Sequence, residues 1–375
     1  KEDKDMYSRF IIELTPRIKE MGLVISVDVT APDGGETWSL CFDRNVIGHV
    51  ADYIVFMAYD QTSSSSTKSG TTAGYNWVNL SLNILNKRMY EGMKKSYKIG
   101  LLIIGSLLVI FAFTDLQISK AIYNQQSTFG FIFEAIGEFP AALIASFCSM
   151  SLMITRNKDR SVKYILGTIG YSVLVVLFAL MAAMLPVKYL SGPTLLIPLL
   201  AILYVGLFYI IAKKYTKTNR EELRKAAIVG LLTFVFVTIA FNLIKMGWGR
   251  ERYRNMVATG AFEGFSMWFI PQRFTTNNEF MSFPSGHSAN AAIMIWITLI
   301  PTFVTSLKDK KNWFIGFATL WIVLVPISRI IVGAHFASDV TMGVTVTLVI
   351  FTLLKEKYIK KENIKDKEKI SSINT

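Results

Sequence analysis

The stretch that decides the fold lies at residues 164–185 and reads YILGTIGYSVLVVLFALMAAML. Its 22 residues carry no charged side chain, and about 20 such residues are enough for a helix to cross the hydrocarbon core of a bilayer. Inside lipid, a helix satisfies every backbone polar group internally. Working outward from this stretch, we predict an all-α, multi-spanning membrane helix bundle with eight spans, at about residues 97–114, 138–155, 163–185, 194–212, 226–244, 287–307, 313–331 and 336–354.

The composition of the whole chain agrees with this fold class. Of 375 residues, 52% are hydrophobic and 18% are charged, and the mean hydropathy is +0.40. These values exclude a soluble enzyme and a disordered chain, and two cysteines, Cys41 and Cys148, do not make a disulfide scaffold. The net charge is +13, yet Lys and Arg gather at the ends of apolar segments instead of on one basic face. We interpret them as signals of membrane topology and predict no nucleic-acid partner.

Basic residues alternate between the connections of the predicted spans. They are dense before span one and after spans two, four, six and eight, which the positive-inside rule assigns to the cytoplasm. The loops 115–139 and 186–193 hold one Lys each and are expected to face outward. The outward loop after span five breaks the rule and predicts an anion site at the membrane surface, the alternative being tolerated loop charges. Its basic residues are Lys245, Arg250, Arg252, Arg254 and Arg273.

Residues 1–86 differ in character, because helix-period and strand-period segments alternate there. The run Asp52–Asp60, DYIVFMAYD, followed by Trp77-Val78, resembles the later strands of a glycoside hydrolase family 18 (chitinase-like) barrel. The residues that match a substrate-contacting strand of that family are Met57, Tyr59 and Asp60. The family's Asp-x-x-Asp-x-Asp-x-Glu run is absent, and most glycoside hydrolysis needs paired carboxylates. We therefore predict a truncated, inactive α/β piece of a TIM barrel, followed by a junction at 87–96.

Three short motifs carry the chemistry. In chain order they are Lys245-x6-Arg252, Pro284-Ser285-Gly286-His287 and Ser328-Arg329-x5-His335-x3-Asp339. They contain two of the chain's three histidines, at the outward ends of spans six and eight, and the third histidine is His49. The motifs resemble the signature of the type 2 phosphatidic acid phosphatase (PAP2) superfamily, which includes acid phosphatases and vanadium haloperoxidases. The resemblance covers about residues 97–357, with 358–375 as a charged cytoplasmic tail. One departure is Tyr253, where the family commonly has Pro, and it affects the expected placement of Arg252.

The spacing of the third motif suits phosphoryl transfer without reference to any family. His335 and Asp339 are four residues apart, so on a helix the carboxylate can accept a hydrogen bond from one imidazole nitrogen. The other nitrogen is then free to act as a nucleophile. Arg329 ends the preceding span, where its guanidinium can clasp phosphate oxygens in a two-pronged contact.

The second motif is typical of a helix start that binds an anion. A helix beginning at Pro284 offers free N–H groups near Ser285 and Gly286, and His287 lies beside the bound group. The alternative is that Ser285 only caps the helix. Asp339 has a similar alternative as an ordinary acidic residue at a helix N-terminus.

These residues predict a two-step, metal-free and cofactor-free transfer through a phosphohistidine. His335 is the expected nucleophile, Asp339 holds its tautomer, and His287 is the general acid. The remaining groups are expected to bind the phosphate: Lys245, Arg252, Ser285, Gly286 and Arg329. Arg250 and Arg254 fall outside the matched spacing and are predicted to make surface or headgroup contacts.

The leading functional hypothesis is a lipid phosphate phosphatase in a bacterial cell membrane, with its active site on the extracytoplasmic face. The expected substrate is phosphatidic acid, phosphatidylglycerol phosphate or undecaprenyl diphosphate, and nothing in the motifs ranks them. The alternatives are a non-catalytic lipid-phosphate-binding protein, a vanadate-dependent haloperoxidase and, from residues 1–86, a sugar-polymer hydrolase. The aromatic loop Phe262–Phe274 is expected to be a lipid-gripping lid or an ordinary aromatic belt.

Overall fold

The computed structural model describes residues 2–21, 23–30, 42–57, 75–157 and 161–360. The chain divides into two compact units, Lys1–Ile103 and Ile104–Thr375. The two units differ in kind, because all described strands lie in the first and the second is helical. The site predicted from the three motifs falls entirely in the second unit.

The first unit is a small α/β arrangement. Its elements are α1 (Glu2–Glu20), β1 (Ser26–Val29), α2 (Arg44–Val50) and β2 (Tyr53–Phe56). The two strands pair in parallel from Ser26↔Tyr53 to Val29↔Phe56, and alternate residues of β1 join Ile11 and Ile47 in a small apolar cluster. The described part therefore has the α/β rhythm of the prediction. Tyr59 and Asp60, which carry the barrel resemblance, lie outside the described residues, as do the side chains of His49 and Trp77.

The second unit is a bundle of long apolar helices. The first of them, α3, starts in the first unit, and the bounds of all described helices from there on are α3 (Tyr75–Ile122), α4 (Thr128–Ile136), α5 (Phe139–Ile154), α6 (Val162–Tyr189), α7 (Leu196–Thr218), α8 (Arg220–Trp248), α9 (Tyr253–Thr259), α10 (Gly286–Ala292), α11 (Ile300–Phe303), α12 (Lys311–Ile331) and α13 (Ala337–Lys355). Short 3₁₀ turns lie at 262–264, 278–280, 293–299 and 305–310.

Seven stretches of the described chain are long and apolar enough to cross a membrane. They are Ile99–Ile122, Thr128–Ile154, Val162–Tyr189, Leu196–Thr218, Arg220–Thr259, Thr305–Ile331 and Ala337–Ile359. Each overlaps one of the predicted spans, so a multi-pass membrane protein is the fold that the sequence and structure share. Leu, Ile, Val and Phe point outward along these helices, as expected of surfaces that face lipid.

The predicted span at 287–307 is not confirmed as a single helix. The chain there forms α10, a 3₁₀ stretch at Ile293–Leu299 and the short α11. Pro301 stands at the start of α11 and lacks the N–H that would bond back to the preceding turn, which weakens the α-helical ladder at that point. Trp296 is buried and donates from its indole nitrogen to the carbonyl oxygen of Ala226, 2.7 Å away. This segment is therefore packed inside the bundle.

The core of the bundle lies among α5, α6, α7, α8 and the segment from α10 to α11. Its largest buried side chains include Phe147, Phe234, Trp296 and Phe303. α10 packs against α8, α12 and α13, and the approach to α13 is close because Gly343 has no side chain. A Cβ atom at Gly343 would lie 2.4 Å from the carbonyl oxygen of Ser285. The start of α10 is thus held against α13 near that helix's own start.

Candidate active site

All three motifs meet at one end of the bundle, where α8 and α12 end and α10 and α13 begin. Backbone hydrogen bonds tie the segments together. The Ser285 amide donates to the Asp339 carbonyl at 2.9 Å, and the Ser282 amide donates to the Arg250 carbonyl at 3.0 Å. The Arg252 amide donates to the Glu279 carbonyl at 2.8 Å. The predicted convergence of the motifs is therefore present in the structure.

His335 lies in the turn between α12 and α13 and is almost fully buried. Its Nδ1 atom is 2.6 Å from the carbonyl oxygen of Ser282. Because a carbonyl oxygen can only accept, this contact assigns the proton to Nδ1 and leaves Nε2 with a free lone pair. Burial, followed by the positive charges of Lys245 and Arg252, holds the pKa of His335 well below its ordinary range. The imidazole is therefore neutral and suited to nucleophilic attack.

The predicted hydrogen bond between His335 and Asp339 is wrong. The Asp339 carboxylate is 3.9 Å from Nδ1 and accepts instead from the Phe336 amide at 2.8 Å and the Ser282 hydroxyl at 2.5 Å. The physical reason is that α13 begins at Ala337, so His335 precedes the helix and the four-residue spacing does not place the two side chains on one helical face. Asp339 instead caps α13 and holds Ser282, whose carbonyl orients the imidazole.

Arg250 is also placed differently from the prediction. The sequence predicts a surface position, but Arg250 is fully buried and pairs with Asp339 at 2.5 Å and with Asp115 at 2.9 Å. Its guanidinium lies over the ring of Phe336, 4.2 Å from the centroid. No local feature of the sequence marks Arg250 as buried, because its partner Asp115 lies 135 residues away in the chain.

The guanidinium groups of Arg252 and Arg329 form the main cationic part of the site. Arg252 donates from Nη2 to the side chain of Asn278 at 2.8 Å, and Arg329 pairs from Nη2 with Glu134 at 3.2 Å. In the described part of the chain, the buried Nε of Arg252 and the buried Nε and Nη1 of Arg329 have no hydrogen-bond partner. Unpaired buried donors on a charged group are costly, and a ligand with several anionic oxygens would satisfy them.

Lys245 and the start of α10 lie next to each other. Lys245 is in the last turn of α8, and its Cε atom would be 3.6 Å from a Cβ atom at Gly286. The Ser285 hydroxyl accepts from the Ser288 amide at 3.2 Å and from the Ser288 hydroxyl at 2.9 Å. Ser285 therefore caps α10, which is the role that the alternative prediction gave it. Its own O–H proton is not used in either contact.

The two ring nitrogens of His287 have different surroundings, because Nε2 faces the site and Nδ1 faces the carboxylate of Glu138. Its Nδ1 is 3.4 Å from Glu138, and its buried Nε2 has no hydrogen-bond partner among the described residues. Glu138 also accepts from the side-chain amide of Asn290 at 3.0 Å. Sequence reasoning missed Glu138 and Glu134. A signal was available, since both are acids in a segment that is predicted to face outward and contains a single Lys.

Comparison with known proteins is consistent with this geometry. The sequence profile of the PAP2 superfamily matches residues 226–362, the range that holds all eight predicted site residues. Phosphatidylglycerophosphatase B of Bacillus subtilis (strain 168) is 31% identical over 172 residues, which are 45% of this chain and 70% of that protein. The chain belongs to the PAP2 superfamily.

Two further proteins that are similar in sequence to this chain are phosphatases of lipid A. The lipid A 1-phosphatase of Rhizobium johnstonii is 30% identical over 135 residues, 35% of this chain and 49% of that protein. The lipid A 4'-phosphatase of Rhizobium etli is 29% identical over 138 residues, 36% of this chain and 51% of that protein. The chain thus spans about half the length of these two relatives. No solved structure matches it. These matches do not support the glycoside hydrolase resemblance of residues 1–86.

Tyr253, the departure from the PAP2 pattern, occupies the first position of α9. That position favours Pro because its φ is already helical and its N–H needs no partner. Here the Tyr253 ring is buried and packs against Tyr123, Phe262 and Phe336. Packing of the ring thus takes the place of a stiff backbone, and Arg252 still reaches the PAP2 site.

Arg254 supports the neighbouring loop. It forms a two-pronged pair with Glu279, with Nη2 at 2.6 Å and Nε at 3.0 Å from the two carboxylate oxygens. This hydrogen-bonded pair holds the pKa of Glu279 below its ordinary value. The Glu279 carbonyl accepts from the Arg252 amide. Arg254 therefore braces the loop that positions Arg252, and the predicted surface or headgroup role does not describe it.

The aromatic loop Phe262–Phe274 is anchored at one side and exposed at the other. Trp268 stacks on Phe283 and donates from its indole nitrogen to the Leu108 carbonyl at 2.9 Å. Phe269 and Phe274 are exposed. The lid and the aromatic belt are both predictions for this loop. Within the described residues, no group of three or more His, Cys, Asp or Glu side chains could hold a metal ion.

Proposed function

We propose that this chain is an integral-membrane lipid phosphate phosphatase that works through a phosphohistidine. The single observation that carries the proposal is the set of buried arginine donors on Arg252 and Arg329 that have no partner among the described residues, beside the neutral imidazole of His335 and the unpartnered Nε2 of His287. A phosphate group has the charge and the oxygens to satisfy those donors. The PAP2 relatives named above are phosphatases of lipids, which supports a lipid as the substrate.

In the first step, Nε2 of His335 attacks phosphorus while Nδ1–H stays bonded to the Ser282 carbonyl. A P–N bond forms and the bond from phosphorus to the leaving oxygen breaks. Burial lowers the pKa of His287 to about 4, and the negative charge of the bound phosphate favours the protonated ring. Its Nε2–H gives the proton to the leaving oxygen, and the lipid alcohol departs, or the lipid monophosphate when the substrate is a diphosphate. Arg252, Arg329 and Lys245, together with Ser285 and the Gly286 amide, stabilise the charge on the equatorial oxygens.

In the second step, water attacks the phosphohistidine from the side that the leaving group has vacated. His287, now neutral at Nε2, accepts a proton from this water. The P–N bond breaks, inorganic phosphate forms and the imidazole of His335 is restored. Glu138, 3.4 Å from Nδ1 of His287, keeps the ring oriented throughout both steps. No metal or cofactor takes part in this scheme.

The location of the site supports an amphiphilic substrate. The helix ends that form it lie opposite the ends rich in basic residues, where α5 and α7 end and α6, α8 and α12 begin. The positive-inside rule puts the basic end in the cytoplasm, so the site faces the extracytoplasmic side of a bacterial cell membrane. Phosphatidic acid, phosphatidylglycerol phosphate and undecaprenyl diphosphate are the proposed substrates, and residues 1–86 supply no catalytic group.

A phosphate-release assay on the purified chain in detergent tests this function. The panel contains the three lipid phosphates, the wild type, His335→Ala and the control His49→Ala, which removes the histidine outside the motifs. We expect release by the wild type and the control, and at least a 10³-fold loss in His335→Ala. We also expect an acid-labile phosphoenzyme in the wild type and the control, and none in His335→Ala. Equal activity of His335→Ala and the wild type would end the nucleophile assignment. Absence of release from all three lipids would instead favour the non-catalytic alternative.

A further inference from the structure

The first membrane-spanning helix contributes a side chain to the support of the site. We propose that Asp115 on α3 and Arg250 after α8 are positioning residues for His335, acting through Asp339 and Ser282. This inference rests on the proposed phosphatase function. Asp115 lies outside the matched PAP2 range of 226–362, so the proposal extends the working site to a helix that the superfamily profile does not cover.

The donors of the Arg250 fork have buried acceptors on several elements. Nε donates to the Ser266 carbonyl at 3.0 Å and Nη2 donates to Asp115 at 2.9 Å. Nη1 donates to the Ser338 hydroxyl at 2.9 Å and to Asp339 at 2.5 Å. A planar guanidinium with partners on three sides has one orientation. The position of Asp339 is therefore coupled to Asp115 through a rigid group.

Asp115 also holds the first turn of α13 directly. Its Oδ1 accepts from the Ser338 amide at 2.9 Å, and its Oδ2 accepts from the Ser338 hydroxyl. Ser338 immediately precedes Asp339 in the chain. Apolar contacts support the same arrangement, because Phe111 and Ile118 of α3 pack with Ala337 and Val340 near the start of α13. α3 therefore fixes the turn that carries Asp339.

The path from this cluster to the imidazole passes through Ser282. The Ser282 amide donates to the Arg250 carbonyl, and its hydroxyl donates to Asp339. These two bonds leave its carbonyl oxygen directed at Nδ1 of His335, 2.6 Å away. The orientation of the nucleophile thus depends on a chain of buried hydrogen bonds that begins at Asp115. Each member is fully or almost fully buried, where such bonds are strong and their loss is costly.

The charges of the cluster suggest which variants are informative. One guanidinium faces two carboxylates, so removing Arg250 would leave two buried acids without their counter-ion. Asp115→Asn is milder, since it keeps the shape and one acceptor and removes one charge. Ser338→Ala is milder still, because it removes only the hydroxyl that Arg250 and Asp115 share.

The experiment compares Asp115→Asn, Ser338→Ala, Asp339→Asn and the double variant Asp115→Asn/Asp339→Asn in the full chain. Turnover in detergent is measured with the lipid phosphate that the wild type hydrolyses fastest among the three of the panel. It gives kcat and KM per folded molecule, with folding checked by circular dichroism and gel filtration. The control is Asp309→Asn at an exposed position. We expect kcat to fall about tenfold or more in Asp115→Asn with KM within about twofold, because the phosphate-binding guanidiniums are untouched. Ser338→Ala should lose less, and the double variant should equal Asp339→Asn because both act through one path.

A purely structural role for Asp115 would give a different result. The melting temperature would fall while kcat per folded molecule stayed at the wild-type value, or the losses in the double variant would multiply. Either outcome overturns the inference. If Asp115→Asn does not fold, the Ser338→Ala variant decides. A wild-type kcat in folded Ser338→Ala also overturns the inference. A wild type inactive on all three lipid phosphates would refute the proposed function itself. An active wild type with an inactive His335→Ala and an unaffected Asp115→Asn would refute only this inference.

Discussion

Replacing Arg329 by Met is expected to lower activity strongly without lowering stability. Arg329 is almost fully buried at the end of α12, and its one described partner is the partly exposed Glu134. Nε and Nη1 have no partner in the described residues. Met has a similar length and no charge, so the change removes the guanidinium and keeps much of the packing. Binding and stability should then respond in opposite ways.

The loss of activity can be worked out from the two unpartnered nitrogens. Each would make a charge-assisted hydrogen bond with the phosphate, contributing roughly 1.5–3 kcal/mol. Two such bonds amount to about 3–6 kcal/mol, and about 1.4 kcal/mol corresponds to a tenfold change in rate. We therefore expect kcat/KM to fall by about 10² to 10⁴.

The effect on stability follows from the same geometry with the sign reversed. Lys245, Arg252 and Arg329 all direct positive charge at His335, and a buried donor left unpaired costs about 1–3 kcal/mol. Arg329→Met removes one charge and two such donors, while Glu134 can still reach water. For a chain of this size about 1 kcal/mol shifts the melting temperature by roughly 2–4 °C. We expect a melting temperature equal to the wild type or a few degrees higher.

The assay pairs lipid phosphate turnover with thermal unfolding in detergent at one fixed scan rate, since such unfolding is often irreversible. The contrasting variant is Arg254→Met, which breaks the two-pronged pair with Glu279 and should lower the melting temperature. Orthovanadate, a phosphate mimic, should stabilise the wild type more than Arg329→Met. The reasoning fails if Arg329→Met keeps kcat/KM within threefold of the wild type, or if it melts several degrees lower than the wild type, as Arg254→Met is expected to do.

Two further outcomes are expected. Lys245→Gln should move the acidic limb of the pH profile of kcat to higher pH. The positive charge of Lys245 helps to hold the pKa of His335 low, so its removal lets the nucleophile become protonated at a higher pH. Lys188→Gln is the control, and an unchanged acidic limb in Lys245→Gln would contradict the assignment. Glu138→Gln should slow the hydrolysis of alkyl phosphates about tenfold and that of aryl phosphates much less, since a good leaving group needs little proton transfer from His287. Equal losses on both substrate types would show that Glu138 does not orient His287 as the general acid.

The membrane fold could be predicted from the sequence because the physical constraint is local. A helix in lipid needs about 20 apolar residues in a row, and that requirement can be read from any stretch alone. The span at 287–307 was the exception, since its apolar residues pack inside the bundle and Pro301 interrupts the backbone ladder. Apolar length cannot distinguish a lipid-facing helix from a buried, broken one.

The site was predictable as far as its residues are close in sequence or follow a known motif. The convergence of Lys245, Arg252, His287 and His335 was expected, but the partner of His335 was not. A backbone carbonyl such as that of Ser282 has no sequence signal, because every residue has one. The burial of Arg250 could not be predicted from the sequence either, since it depends on Asp115, which is far away in the chain. Local spacing thus identified the reacting groups and missed what holds them.

The two nitrogens of His335 divide the site into parts with opposite bonding. On the Nδ1 side, Ser282, Asp339, Arg250 and Asp115 form a closed set of hydrogen bonds that is complete before any substrate arrives. The other side collects the donors of Arg252 and Arg329 that have no partner in the described part of the chain. Electrostatic catalysis requires donors that are already oriented, so that no reorganisation is needed during the reaction. The saturated side therefore supplies the rigidity, and the unsaturated side supplies the affinity for charge that develops on phosphorus-bound oxygens.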